Sequence, residues 1–190
     1  MPSYGLIVEG ANDGSVFPCL ARRTNSPDAS IYCIECEGVT HLMKNFPALL
    51  RRFEHVHNGG PVAKAIVIRD RDRKNTEQVL EEMRGKVQGR RYPFPIGFCV
   101  ISRETETLFL ADVAAIQSVS NSRGGGRVTP VNEVLDNILD AKGRFRSLLS
   151  AARLTVARAL YEQIAEELNL EALRARVPTF NQFEHCVLDL

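Results

Sequence analysis

Acidic residues directly follow an apolar segment that the sequence predicts to be a buried β-strand. The segment Ala65 to Arg73 begins as an apolar run rich in β-branched residues and continues into the motif Asp70-Arg71-Asp72. Carboxylates two residues apart on an extended chain point the same way, so Asp70 and Asp72 can reach one cleft. The alternative is a solvated, self-paired charge cluster, because arginines at positions 69, 71 and 73 alternate with the acids.

Two further predicted strands also end in acid. The first strand, Tyr4 to Glu9, ends in a glutamate, and Asp13 lies at the start of the next predicted helix, where N-capping is its other possible role. Another strand, Ile96 to Ile101, is followed by Glu104 and Glu106. Because the carboxyl ends of parallel strands meet at one edge of a sheet, we expect the three sets of acids to converge there.

Converging carboxylates repel one another, so this arrangement predicts that divalent cations neutralise them. Oxygen-only donors favour Mg²⁺ or Mn²⁺ over zinc or copper. Two such ions about 4 Å apart stabilise the attacking water and the leaving oxygen of a phosphodiester in many nucleases. Cys33 and Cys36 are a weak zinc candidate, because residues three apart on a strand face opposite sides and no second cysteine pair follows.

Helical patterns separate the predicted strands, including a further strand at Ile31 to Cys36. Strands that alternate with helices at this spacing predict an α/β fold with a doubly wound parallel sheet and right-handed crossovers. We expect residues 1–117 to form this core.

The remainder of the chain is predicted to be a loop followed by helices. Residues 118–130 are rich in glycine and serine and are expected to form a flexible loop. Residues 131–190 are expected to form a helical C-terminal extension packed on the core, in which Phe180 and Phe183 dock onto the core. The alternative is that this extension is a surface for a partner. The predicted helices of this extension cover residues 131–141, 148–168 and 170–177.

Composition limits the function classes. The chain has 190 residues and a formal net charge of +1, which by itself does not indicate nucleic-acid binding. Metal ions would make the loaded protein more basic, and arginine pairs such as Arg22-Arg23 and Arg51-Arg52 could bind phosphate if they surround a cleft. No membrane-length segment, no signal peptide and no disulfide framework is apparent, so we expect a cytoplasmic protein. No P-loop motif is present, so the chain is not predicted to be an ATPase itself.

The order and spacing of these motifs resemble the toprim domain of topoisomerases, bacterial primases and the overcoming-lysogenization-defect nucleases. Val8-Glu9-Gly10 and Asp70-Arg71-Asp72 match the glutamate–glycine and Asp-x-Asp signatures of that domain over about residues 4–115. Asp13 and Ser102-Arg103-Glu104 match positions that the nuclease branch adds. The helical tail with its Pro-x-Phe-x-x-Phe motif looks like small stand-alone toprim-like proteins that are often associated with separate ATPases.

The resemblance implies a toprim-like, Rossmannoid sheet and a metal-dependent nuclease or nickase that hydrolyses phosphodiester bonds of nucleic acid, DNA rather than RNA. It also implies a role in phage defence or DNA repair, with an ABC-type or AAA-type ATPase as partner in trans. The competing interpretation is a non-catalytic toprim-like module that binds nucleic acid or protein. Glu106 could instead point away from Glu104 and pair with Arg103 or another base. The implied catalytic residues are Glu9, Asp70, Asp72 and Glu104, and the implied ligands of two Mg²⁺ or Mn²⁺ ions are Glu9, Asp13, Asp70, Asp72, Glu104 and Glu106.

Overall fold

Four parallel β-strands form the centre of the protein in a computed structural model that describes residues 1–71, 74–101 and 104–188. The strand order is β2-β1-β3-β4, which confirms the predicted α/β fold with a parallel sheet. The strands are β1 (Ser3–Val8), β2 (Ser30–Glu35), β3 (Lys64–Asp70) and β4 (Ile96–Ile101).

The two inner strands, β1 and β3, are the most deeply buried. All residues of β1 are buried, and in β3 only Asp70 at the carboxyl end is partly exposed. This burial is why both strands read as continuous apolar runs rather than as alternating ones. Gly5 of β1 makes a close approach possible, because a Cβ atom at this position would overlap the ring of Phe53.

Helices cover both faces of the sheet. On one face, α2 (Val39–Leu49), a 3₁₀ turn at Leu50–Glu54 and α3 (Thr76–Val87) pack their apolar side chains on the strands. The other face carries α1 (Asp13–Thr24) and the helices of the C-terminal half, which share one larger core. These helices are α4 (Glu106–Ala111), α5 (Val113–Ser122), α6 (Ala141–Ala151), α7 (Arg158–Glu167), α8 (Leu170–Arg176) and α9 (Pro178–Leu188).

Aromatic side chains attach the C-terminal helices to the core. Phe180 and Phe183 of α9 are fully buried, and the ring of Phe183 lies 5.3 Å from that of Phe17 on α1. The predicted docking of these two aromatics is therefore confirmed. A second aromatic cluster joins α4, α6 and α7, with ring centroids 4.8 to 5.4 Å apart. It consists of Phe109, Phe145 and Tyr161.

The predicted flexible loop at residues 118–130 is partly wrong. Helix α5 continues to Ser122, and the glycines that follow are held by hydrogen bonds. The Ser120 hydroxyl donates to the carbonyl of Gly126 at 2.8 Å, and the Gly126 N–H donates to the Ala152 carbonyl at 3.0 Å. The backbone polar groups of this segment thus find partners in the C-terminal helices.

Two of the predicted C-terminal helices are also wrong in extent. Residues 131–140 contain only a 3₁₀ turn at Leu135–Asn137, and α6 begins at Ala141, where the Asp140 carboxylate accepts a hydrogen bond from the Gly143 N–H at 2.7 Å. The predicted helix 148–168 is divided into α6 and α7, because Arg153 adopts a left-handed conformation with φ of 58°. The predicted helix 170–177 is confirmed as α8.

No helix in the described parts of the chain is both long enough and apolar enough to cross a membrane.

Candidate functional site

A cleft of about 330 Å³ opens at the carboxyl edge of the sheet, beside the ends of β1 and β3. The chain leaves β1 toward β2 on one side and leaves β3 toward β4 on the other, so the two loops diverge here. Ligands of open α/β sheets bind at such a switch point. Five predicted metal ligands line this cleft, namely Glu9, Asp13, Asp70, Glu104 and Glu106. The sixth, Asp72, lies outside the described residues.

Glu9 and Asp13 come from the turn between β1 and α1. Glu9 directly follows β1, and Asp13 is the first residue of α1. The Oδ2 atom of Asp13 accepts a hydrogen bond from the Gly10 N–H at 2.8 Å, which closes the turn. Asn12 occupies the N-cap position but makes no side-chain capping bond. Asp13 therefore faces the cleft from the first helical turn instead of acting as the N-cap.

Asp70 is the last residue of β3, and its Oδ1 atom lies 3.4 Å from the hydroxyl of Thr105, which donates to it. Arg69 does not share this environment, because successive strand residues point to opposite faces. Its buried guanidinium pairs with Glu82 of α3 at 3.3 Å. The charge-cluster alternative thus fails for Arg69, and Arg73 lies outside the described residues.

Glu104 and Glu106 both line the cleft, so Glu106 does not point away from Glu104 as the alternative prediction had it. Helical spacing does not apply to this pair, because α4 begins only at Glu106. Glu106 is 5% exposed, and its Oε1 atom accepts a hydrogen bond from the Tyr161 hydroxyl at 2.9 Å. The Oε2 atom of Glu104 accepts from the backbone N–H of Lys142 at 2.9 Å.

The surroundings of Asp13 disfavour negative charge on its side chain. Burial raises the pKa of Asp13, and the neighbouring Glu106 carboxylate acts in the same direction. The Thr105 hydroxyl, which Asp13 shares with Asp70, opposes this rise together with the Gly10 N–H and the positive charge of Lys142, but they do not cancel it. A cation bound in the cleft would relieve this repulsion.

The donor set is chemically suited to a hard cation. The cleft offers carboxylate oxygens, which Mg²⁺ and Mn²⁺ prefer. Within the described residues, however, no group of three or more His, Cys, Asp or Glu side chains is arranged to hold an ion. This arrangement still fits Mg²⁺, which proteins commonly bind through one or two carboxylates while water or substrate oxygens complete the shell.

Two residues of the C-terminal helices belong to the site and were missed by sequence reasoning. Lys142 lines the cleft from the start of α6, and Tyr161 reaches Glu106 from α7. Burial, followed by the charge of Glu106, raises the pKa of Tyr161, so its hydroxyl stays a neutral donor. Only the capping pattern at Asp140 and Gly143 gives a sequence signal, because it places Lys142 in the first turn of a helix.

Comparison with known proteins identifies the fold alone. No protein-family model matches the chain, and no curated protein matches it either. A solved structure, the hypothetical protein PH0156 from Pyrococcus horikoshii OT3, is similar with a TM-score of 0.52 and 19% sequence identity. The similarity covers 98% of this chain and 100% of that one, so both share the α/β architecture over their whole length.

Proposed function

We propose that this protein is a toprim-like, Mg²⁺- or Mn²⁺-dependent nuclease or nickase that hydrolyses phosphodiester bonds of nucleic acid, DNA in preference to RNA. The observation that supports this most strongly is the convergence of acids from three separate strand ends in one cleft at the switch point of the sheet. A cytoplasmic location, an ATPase partner in trans and a role in phage defence or DNA repair belong to the same proposal.

The residues of the cleft have distinct roles in this proposal. Glu9 and Asp70 would hold the cation together with Asp72, and Asp13, Glu104 and Glu106 would serve a second ion. The bound metal would activate water and stabilise the leaving oxygen. The ammonium group of Lys142 would stabilise the charge of the scissile phosphate. Thr105 and Tyr161 donate hydrogen bonds that orient Asp70 and Glu106.

A plasmid-nicking assay tests the proposal directly. Supercoiled DNA is incubated with the purified protein in Mn²⁺, in Mg²⁺ and in EDTA. We expect metal-dependent cleavage that falls by about a hundredfold or more in Glu9→Gln and Asp70→Asn. Glu81→Gln is the matched control, because Glu81 is exposed on α3 and does not line the cleft. Full cleavage by both acid variants would refute the assignment.

The second candidate is a non-catalytic module that binds nucleic acid or protein. It is favoured by the hydrogen bonds that Asp13, Glu104 and Glu106 already make within the protein, and by the lack of a three-ligand group in the described part of the chain. This candidate predicts that Lys142→Met weakens DNA binding while Glu9→Gln retains it, with no cleavage by the wild-type protein in any metal. Gel-shift titrations beside the nicking assay separate the two candidates.

A further inference from the structure

The strand β2 forms an open edge of the sheet. It pairs with β1 on one side, and within the described residues no strand lies on its other side. Residues 30 to 34 are all partly exposed, whereas β4, the strand at the opposite edge, is fully buried at four of its six positions. Open edges of this kind usually carry lysine, proline or a bulge that prevents pairing. The β2 sequence, Ser-Ile-Tyr-Cys-Ile-Glu, has no lysine or proline.

The pairing with β1 determines which N–H and C=O groups of β2 point toward the open edge. The Ser30 N–H donates to the carbonyl of Pro2, and the Cys36 N–H donates to that of Val8. Because strand residues alternate, the even-numbered residues of β2 bond to β1. The N–H and C=O groups of Ile31, Cys33 and Glu35 therefore point outward.

We propose that β2 pairs with β2 of a second copy of this chain, antiparallel about a two-fold axis at Cys33, to form a continuous eight-stranded sheet. Two-fold, self-complementary pairing is the commonest form of homo-oligomer. In this register Cys33 lies opposite its own copy, and Ile31 lies opposite Glu35 of the second copy. On the other face, Tyr32 lies opposite Ile34, which makes two aromatic to β-branched pairs per dimer.

Charge is compatible with this register, and the Tyr32 to Ile34 pairs favour it over its neighbour. The acids that flank β2 are Asp28 and Glu37, and antiparallel pairing about Cys33 places them opposite Gly38 and Ala29 of the second copy. Glu35 lies opposite Ile31 and keeps its ion pair with Arg158 of its own chain, so no like charges are directly opposed. In the neighbouring register the two-fold axis would lie at Ile34, so that Ile34 lies opposite its own copy. Glu37 would then lie opposite Ile31, and Cys33 opposite Glu35. Both Tyr32 to Ile34 pairs would be lost.

The test uses a matched pair of substitutions at Ile31 in the full chain carrying Arg158→Ala, because Arg158 forms an ion pair with Glu35 in the same chain and would neutralise its charge. Ile31→Glu places a glutamate opposite Glu35 at two points of the dimer, whereas Ile31→Lys places a lysine there, with a similar loss of apolar burial. Light scattering over a dilution series should give about twice the chain mass of 21.2 kDa for the wild-type protein and for Ile31→Lys. The Ile31→Glu variant should dissociate at concentrations roughly tenfold higher.

Hydrogen exchange on the wild-type protein provides a second readout that requires no substitution. The amides of Ile31, Cys33 and Glu35 should be protected at high protein concentration and should lose that protection on dilution, while those of Tyr32 and Ile34 stay protected. A wild-type protein that is monomeric at every concentration would overturn the proposal. So would a dimer that Ile31→Glu leaves intact, or equal dissociation of the glutamate and lysine variants.

Discussion

The hydrogen bond between Tyr161 and Glu106 gives a sharp test of how the C-terminal helices build the cleft. Tyr161 is 1% exposed and Glu106 is 5% exposed, so the substitution Tyr161→Phe leaves a buried carboxylate without this donor. The ring packing against Phe109 and Phe145 is retained, so no cavity forms. A hydrogen bond to a charged group contributes about 1.5–3 kcal/mol. We expect a loss of about 2 kcal/mol in the free energy of unfolding, which lowers Tm by about 4–8 °C.

The control is Tyr92→Phe, which removes a hydroxyl that donates to the uncharged carbonyl of Pro47 at 2.8 Å. This substitution should cost about 1 kcal/mol. Urea unfolding at neutral pH in EDTA measures both variants, and a double-mutant cycle with Glu106→Gln isolates the coupling between Tyr161 and Glu106. Equal losses for the two tyrosine variants, together with a coupling free energy near zero, would refute the argument that Tyr161 holds a buried charge.

Three further predictions concern stability. Because burial raises the pKa of Asp13 in the folded protein, its ionisation costs stability as pH rises. Thermal unfolding in EDTA should therefore show Asp13→Asn more stable than the wild-type protein at neutral pH, with no difference in acid, where Asp13 is protonated in both states. Gly5→Ala should cost about 1–3 kcal/mol in urea unfolding, because the new methyl group overlaps the ring of Phe53, and the cost should shrink in the Phe53→Leu background. Glu82→Ala should cost about 1–2 kcal/mol in the same assay, since it leaves the buried guanidinium of Arg69 without its carboxylate partner.

The sheet and the convergence of acids were predictable because both follow from local rules. Apolar runs located β1, β3 and β4 to within about a residue, and the rule that carboxyl ends of parallel strands share one edge placed Glu9, Asp70 and Glu104 together. The position of β2 at the edge of the sheet was harder to predict from the sequence, because its residues alternate between two half-covered faces.

The C-terminal helices were predicted less well because tertiary contacts determine their limits. Helix α5 continues into the glycine- and serine-rich segment because Ser120 bonds to carbonyls of Gly126 and Ala152, which lies 32 residues away in sequence. The apolar pattern across residues 148–168 does not reveal the break after α6. The hydrogen bond from the Tyr161 hydroxyl to Glu106 could not be predicted from the sequence, because Glu106 lies 55 residues earlier in the chain.

The carboxylates of the cleft accept hydrogen bonds from uncharged donors, which suggests why several acids lie together there. Asp13 and Glu104 accept from peptide N–H groups, and Glu106 accepts from a phenol. Such donors fix the direction of a carboxylate without neutralising its charge, whereas Arg69 and Glu82 on the opposite face form an ordinary ion pair. A structural charge network gains most from ion pairs, but a cation site requires oriented carboxylates that retain their charge. Burial, and after it the charge of Glu106, raises the pKa of Asp13. Under the proposed function, binding of a divalent cation would offset this cost.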